Sequence, residues 1–165
     1  MTGTDHSSGR HTGRVTIRSR RHADLSACVA VLAEVQRADG YPEVWPSEPA
    51  QWLDPPGTLA AWIAQPADRI AGHVSLIAAP DNCALLSRLF VAPTAQQQGL
   101  ARQLMTTALD WAAEREVDVR LEVHAEAPAV AVYERLGWQF LATGQGSWIG
   151  LDGRRPTVRY YAAPD

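Results

Sequence analysis

The spacing of apolar and polar residues changes twice between Leu85 and His124, and the changes predict a strand, a helix and a second strand. Residues 85–91 form a nearly continuous apolar run, which is typical of a strand covered on both faces. From Leu100 to Trp111, apolar residues recur three and four positions apart, as they do in an amphipathic helix. Residues 117–124 then alternate strictly between apolar and polar. A crossover in this order joins two parallel strands of one sheet.

The remaining pattern predicts one domain over residues 15–165, preceded by a disordered tail over residues 1–14, which show no hydrophobic period. Helical spacing predicts two more helices, over about 24–38 and 127–136, and a short one around 49–53. Further strands are predicted over 15–20, 58–64, 69–78, 138–142 and 158–162. Glycine and proline are frequent over residues 143–156, which predicts a long hairpin loop.

A short loop separates the first parallel strand from the central helix. Pro93 ends the strand, because proline cannot donate to a sheet ladder. The sequence Gln98-Gly99-Leu100-Ala101 then begins the helix, where the first amides lack carbonyl partners. Small residues allow an anion to approach the backbone, and the positive end of the helix dipole favours it. The pattern therefore predicts a phosphate ligand against residues 97–102.

Composition narrows the classes of function. The 165 residues are 46% apolar and 20% charged, which is typical of a globular chain. The net charge of −3 gives no basic field for nucleic acid, so no nucleic-acid partner is expected. No apolar run approaches the ~20 residues that span a bilayer, and no signal peptide is evident, so a cytoplasmic protein is expected. Two cysteines, Cys28 and Cys83, are too few for a disulfide framework, and no metal is expected.

Two motifs in this order resemble the GNAT superfamily of N-acetyltransferases. The first, Gln96-Gln97-Gln98-Gly99-Leu100-Ala101, matches the family's acyl-CoA pyrophosphate loop, and the second is Tyr133-Glu134-Arg135-Leu136-Gly137-Trp138 at the end of the next helix. The resemblance is best over residues 69–138. It implies an α/β fold in which a mixed, splayed sheet is flanked by about four helices. It also implies that acetyl-CoA lies between the two central parallel strands.

The same resemblance implies how acetyl-CoA would be held. Loop and helix amides would bind the pyrophosphate, and the edge of the first parallel strand would pair with the amide-rich pantetheine arm. The amide of Val91 would polarise the thioester carbonyl. Glu126 stands where the family often has an asparagine, and its carboxylate can accept a pantetheine N–H but cannot donate to a carbonyl. The cofactor-binding residues implied are Leu89, Phe90, Val91, Gln96, Gln97, Gln98, Gly99, Leu100, Ala101, Arg102, Glu126 and Tyr133.

Transfer to an amine requires a general acid and a general base. Tyr133 matches the position of the family's usual acid, although an aromatic residue on a helix also packs against the core. Many relatives carry a glutamate on the first parallel strand, where this chain has Ser87 and Arg88. Glu122 on the second strand is therefore the candidate base. His124, or a water chain, is the alternative, and a solvated strand face would also explain Glu122.

The function implied is transfer of an acetyl group from acetyl-CoA to a primary amine, by direct attack in a ternary complex. Neither cysteine is near the loop, which argues against an acyl-enzyme, and His73 is expected to be structural. Two alternatives stay open: a non-catalytic acyl-CoA-binding or regulatory module, and transfer of a longer acyl group. The acceptor is also open. Residues 41–56 are rich in tryptophan, proline and acid, and predict either a lid packed on the core or a substrate-facing wall. A homodimer is compatible with the resemblance.

Overall fold

The computed structural model describes residues 15–165, and the predicted N-terminal tail over residues 1–14 lies outside them. Within the described residues the chain forms seven strands and four α-helices. The strands are β1 Val15–Ser19, β2 Thr58–Pro66, β3 Gly72–Ala79, β4 Cys83–Val91, β5 Asp118–His124, β6 Gln139–Gln145 and β7 Thr157–Ala162. The helices are α1 Leu25–Asp39, α2 Pro49–Leu53, α3 Leu100–Glu114 and α4 Ala129–Arg135.

All seven strands belong to one mixed sheet, in the order β1-β2-β3-β4-β5-β7-β6. The central neighbours β4 and β5 are parallel, and every other neighbouring pair is antiparallel. Helix α3 is the crossover between the two parallel strands, as the change of hydrophobic period predicts. The mixed sheet with four helices confirms the fold class that the sequence implies.

Successive residues of β3 show that helices cover both faces of the sheet. A Cβ added to Gly72 would lie 3.0 Å from the Leu104 side chain, so α3 packs closely on this face and leaves no room for a larger residue. His73 points to the other face, because side chains alternate along a strand. There its ring contacts Arg20, which also donates to the carbonyl oxygen of Leu53 at the end of α2.

Several boundaries differ from the sequence prediction, among them the end of β6, which is at Gln145 rather than at residue 142. Strand β3 begins at Gly72 rather than Arg69, because residues 67–69 form a turn in which Ala67 is left-handed, with φ 55°. Strand β4 begins at the buried Cys83 rather than at Leu85. The last helix is shorter than predicted, because Pro128 is its N-cap. None of the helices described is both long enough and apolar enough to cross a membrane.

Candidate functional site

Strands β4 and β5 diverge after a short stretch of pairing. They pair only over Cys83–Leu85 and Asp118–Arg120, at the beginning of both strands. Further along, the register of β4 against β3 shifts by one residue between Ser87 and Phe90, which is a β-bulge. Arg88 adopts the left-handed conformation there, with φ 54°. A bulge bends the strand that contains it, so a gap opens between the carboxyl-terminal halves of β4 and β5.

The backbone amide of Val91 points into this gap. On the other edge of β4, the Ala92 amide donates to the Ala71 carbonyl oxygen at 2.7 Å. Amide directions alternate along a strand, so the N–H of Val91 faces away from β3 and toward β5. The bulge and the amide direction together produce a hydrogen-bond donor that no neighbouring strand uses.

The start of α3 lies after the end of β4 and exposes unpaired amides. The first helical hydrogen bond runs from the Gln103 amide to the Gly99 carbonyl oxygen, and no side chain caps the helix. Gln97 and Gly99 are left-handed, with φ 63° and 77°. A Cβ added to Gly99 would meet no atom within 4 Å, so the space before the helix is open. Open space, unpaired amides and the helix dipole suit a diphosphate.

The Gln96 side chain has a different local role. Its amide nitrogen donates to the Asp39 carboxylate at 2.8 Å and to the Val91 carbonyl oxygen at 3.2 Å. These bonds tie the loop to the end of α1 and to β4. The Gln96 side chain therefore braces the loop before any ligand binds.

Tyr133 lies on α4, packed edge-on against the buried ring of Trp138, with ring centroids 5.9 Å apart. Burial raises the pKa of its hydroxyl to about 12. The phenol is therefore protonated at neutral pH. The packing role and a proton-donating role are compatible, because the ring makes the contact and the hydroxyl keeps the proton.

Glu122 lies on β5 opposite Tyr160 of β7, and its carboxylate accepts a hydrogen bond from the hydroxyl of Ser147. Ser147 is in the loop between β6 and β7, and nothing in its local sequence indicates this contact. The competing base, His124, accepts a bond from the Glu126 amide at Nδ1 (3.3 Å), and Glu126 itself is exposed in the turn after β5. Glu122 is therefore positioned by a side chain from a second loop.

Trp52 packs between two side chains and does not form an open wall. The guanidinium carbon of Arg88 lies 4.0 Å from the centroid of the Trp52 ring, and the Tyr41 ring meets Trp52 edge-on at 6.1 Å. Desolvation raises the pKa of the Tyr41 hydroxyl and the Arg88 charge opposes that rise, while the residue as a whole stays 37% exposed. Arg88 and Tyr41 therefore interact electrostatically, and both contact the Trp52 ring. Nearby, the Glu43 carboxylate accepts a bond from the Leu151 amide (3.2 Å), which links the α1–α2 segment to the β6–β7 loop.

His73 is fully buried and held as a neutral acceptor and donor. Its Nδ1 donates to the Arg88 carbonyl oxygen at 2.8 Å, and its Nε2 accepts from Arg20 at 2.9 Å. The ring stacks on Phe90 at 5.2 Å. His73 thus contacts two residues of the β4 bulge, Arg88 and Phe90, from the neighbouring strand β3. These contacts agree with the structural role expected from the sequence.

The ionisation of His73 predicts a loss of stability in mild acid. Burial is the main cause that lowers its pKa from 6.5 to about 4, and the Arg20 charge lowers it further. The unfolded chain therefore takes up the proton first, and the free energy of unfolding falls as the pH drops from 6.5 to 4, by up to about 3 kcal/mol. Urea unfolding at several pH values would measure this slope. His73→Asn should flatten it, and the exposed His22→Asn should not; equal slopes in wild type and His73→Asn would contradict the assignment.

Comparison with known proteins gives the family. A model of the "Acetyltransferase (GNAT) family" matches residues 28–138 of the chain. None of the curated proteins matches the chain in sequence. The matched range contains the gap between β4 and β5, the start of α3 and Tyr133, and it omits the β6–β7 loop.

Several solved structures share the fold over nearly the whole chain. The ribosomal-protein-S18-alanine N-acetyltransferase from Escherichia coli is 24% identical, with a TM-score of 0.72, and the match covers 92% of this chain and 94% of that one. A chimera of the spermidine N-acetyltransferase from Vibrio cholerae is 23% identical, with a TM-score of 0.72 and coverage of 91% and 95%. A putative acetyltransferase from Salmonella typhimurium, solved with its cofactor acetyl-CoA, is 18% identical, with a TM-score of 0.67 and coverage of 91% and 93%.

Proposed function

Since the chain belongs to the acetyltransferase (GNAT) family, we propose that it moves an acetyl group from acetyl-CoA to a primary amine, by direct attack in a ternary complex. The observation that carries the proposal is the gap between β4 and β5. A free backbone amide faces into this gap from β4, and the uncapped start of α3 lies beyond the end of that strand. The Val91 amide could donate to the thioester at one end of acetyl-CoA. The start of α3 could hold the diphosphate nearer the other end of the molecule.

The binding residues would act mainly through their backbone. Amides from Gly99 to Arg102 would hold the diphosphate, and the free edge of Leu89–Val91 would pair with the pantetheine arm. The N–H of Val91 would donate to the thioester oxygen as negative charge develops on it, an effect worth ~3 kcal/mol in comparable sites. Glu126 could accept from a pantetheine N–H. Its exposure in the turn after β5 leaves the carboxylate accessible.

Glu122 would act as the base that prepares the amine. A primary alkylammonium has a pKa near ~10, so it must lose a proton before its nitrogen can attack. The carboxylate of Glu122, oriented by Ser147, would accept that proton directly or through water. As the new C–N bond forms and the C–S bond breaks, the nitrogen releases its second proton and the sulfur gains one.

Tyr133 would donate the proton to the departing sulfur. Its phenol, with a pKa of about 12, is a weaker acid than a thiol, whose pKa is ~8.5. Proton transfer from the phenol alone to the free thiolate would therefore be uphill. The hydroxyl would instead hydrogen-bond to the sulfur and pass its proton on as the C–S bond breaks, while it regains a proton from the nitrogen, so that no phenolate accumulates.

Of the three similar structures described above, one is named for a ribosomal-protein alanine as its acceptor and another for spermidine. Both are amines, which supports an amine acceptor for this chain. The proposal is tested by incubating the protein with acetyl-CoA and a panel of amines and measuring free thiol. Release that depends on the amine supports transfer. Acetyl-CoA binding without release for any amine would indicate a binding module, and faster release from propionyl- or succinyl-CoA would indicate a longer acyl group.

Glu122→Gln is expected to lower kcat/KM at pH 7 by ~100-fold, because the ammonium then loses its proton without a base. The deficit should shrink as the pH rises toward ~10, since free amine becomes abundant in solution. Thiol release over this pH range measures both effects. Asp118→Asn, at the exposed beginning of the same strand, is the matched control. A Glu122→Gln variant with wild-type rates at every pH would rule out Glu122 as the base and leave His124 or a water chain.

A further inference from the structure

Arg88 on β4 carries a positive charge that interacts with Glu122, the proposed base on the neighbouring strand β5. Arg88 sits in the bulge of β4, in the left-handed conformation. Desolvation raises the pKa of the Tyr41 hydroxyl, the Arg88 charge lowers it, and Tyr133 raises it. Desolvation lowers the pKa of Arg88, and the negative charge of Glu122 opposes that decrease. These four side chains come from four separate segments of the chain. Arg88 and Tyr41 both contact the Trp52 ring, and Glu122 lies on β5, the strand across the gap from β4.

The Arg88 charge lacks an acidic partner within 4.0 Å among residues 15–165. Two other partly buried arginines each have one: Arg18 pairs with Asp24, and Arg20 pairs with Asp54. Burial lowers the pKa of Arg88, which reflects the free-energy cost of removing the cation from water. An incompletely paired guanidinium inside a binding site is suited to an anionic group of the ligand.

The guanidinium is also held in a fixed orientation. Its Nε donates to the Trp52 carbonyl oxygen at 3.0 Å, its Nη1 donates to the Ser87 hydroxyl at 2.9 Å, and its plane lies over the Trp52 ring. Its Nη2 has no hydrogen-bond acceptor in the described part of the chain. A guanidinium group has paired N–H donors in one plane, which can bind a carboxylate with two hydrogen bonds. The contacts with Trp52 and Ser87 set the orientation of this group before a ligand arrives.

We propose that Arg88 binds a carboxylate of the acceptor, so that the substrate is a small amino carboxylate. The inference rests on the proposed acetyl transfer. Arg88 would hold the carboxylate while Glu122 faces the ammonium group, so opposite charges of one zwitterion meet opposite charges of the site. A polyamine would instead bring its positive charges toward Arg88, which disfavours this class of acceptor.

The test uses pairs of acceptors that differ only in the carboxylate. Glycine, alanine and β-alanine are each compared with the corresponding carboxamide, with acetyl-CoA and thiol release as the readout. Wild type is expected to prefer at least one carboxylate over its carboxamide by about 10-fold or more in kcat/KM, mainly through KM. Arg88→Gln should reduce that ratio to near one. The ratio is taken within one protein, so it does not depend on the fraction of the variant that folds.

Arg115→Gln is the matched control, since Arg115 lies 4.1 Å from the Trp111 ring in the same kind of contact but at the end of α3. It should keep the wild-type ratio. Equal rates for carboxylates and carboxamides in wild type would overturn the carboxylate site and leave acetyl transfer intact. No thiol release with any amine, including spermidine and an alanine-initiated peptide, would overturn the proposed transfer and the inference with it.

Discussion

Replacing Tyr133 with phenylalanine is expected to lower kcat for acetyl transfer by at least ~100-fold, because the departing sulfur then has no positioned proton donor. Acetyl-CoA affinity should stay close to wild type. The phenylalanine ring keeps the edge-on contact with Trp138, and the proposed diphosphate contacts lie on α3. Thiol release measures kcat, and calorimetry measures the affinity.

Tyr161→Phe is the control for this experiment. It also removes one tyrosine hydroxyl, which donates to the Glu134 carboxylate at 2.8 Å, and the ring is fully buried. Tyr161 lies opposite Leu121, so its side chain is on the other face of the sheet from Glu122. If Tyr133→Phe kept wild-type turnover, Tyr133 would be a packing residue only.

Gly99→Glu is expected to weaken acetyl-CoA binding by about 100-fold or more. The new carboxylate would occupy the open space before α3 and repel the diphosphate, with the loss of at least two charge-assisted hydrogen bonds. Calorimetric titration of acetyl-CoA measures the loss. Gly99→Gln adds nearly the same bulk without the charge, and Gly99→Ala adds only the backbone strain of a left-handed residue.

The three variants separate three causes. A decrease in affinity from alanine to glutamine to glutamate would assign the effect to strain, bulk and charge in turn. Wild-type affinity in Gly99→Glu would place the diphosphate away from this helix. Thermal unfolding of each variant checks the fold, and the Gly99 side is open enough that no core contact is disturbed.

Hydrophobic spacing was sufficient to predict the elements and the parallel crossover. It predicts the strand at 85–91, the helix that begins at Leu100 and the alternating strand before His124, and the structure agrees within two residues. Apolar residues at helical spacing along α1 are buried, namely Leu25, Cys28, Val31, Leu32 and Val35. Local pattern determines these features because each depends on neighbours within one or two turns.

The finer geometry of the site depends on contacts that local pattern does not contain. The bulge requires Arg88, a non-glycine residue, to adopt positive φ, and His73 and Trp52 from distant segments hold it there. The gap depends on where pairing with β5 stops. The contact between Ser147 and Glu122 joins residues 25 positions apart. Tertiary packing fixes all three, so the sequence alone could not have located them.

A crystal structure with acetyl-CoA tests the central claim most directly. We expect the diphosphate within hydrogen-bonding distance of the amides of residues 99–102, the pantetheine arm between β4 and β5, and the thioester oxygen facing the Val91 amide. The Tyr133 hydroxyl should then lie within reach of the sulfur. A diphosphate bound elsewhere, or a gap that stays empty at saturating acetyl-CoA, would contradict the account.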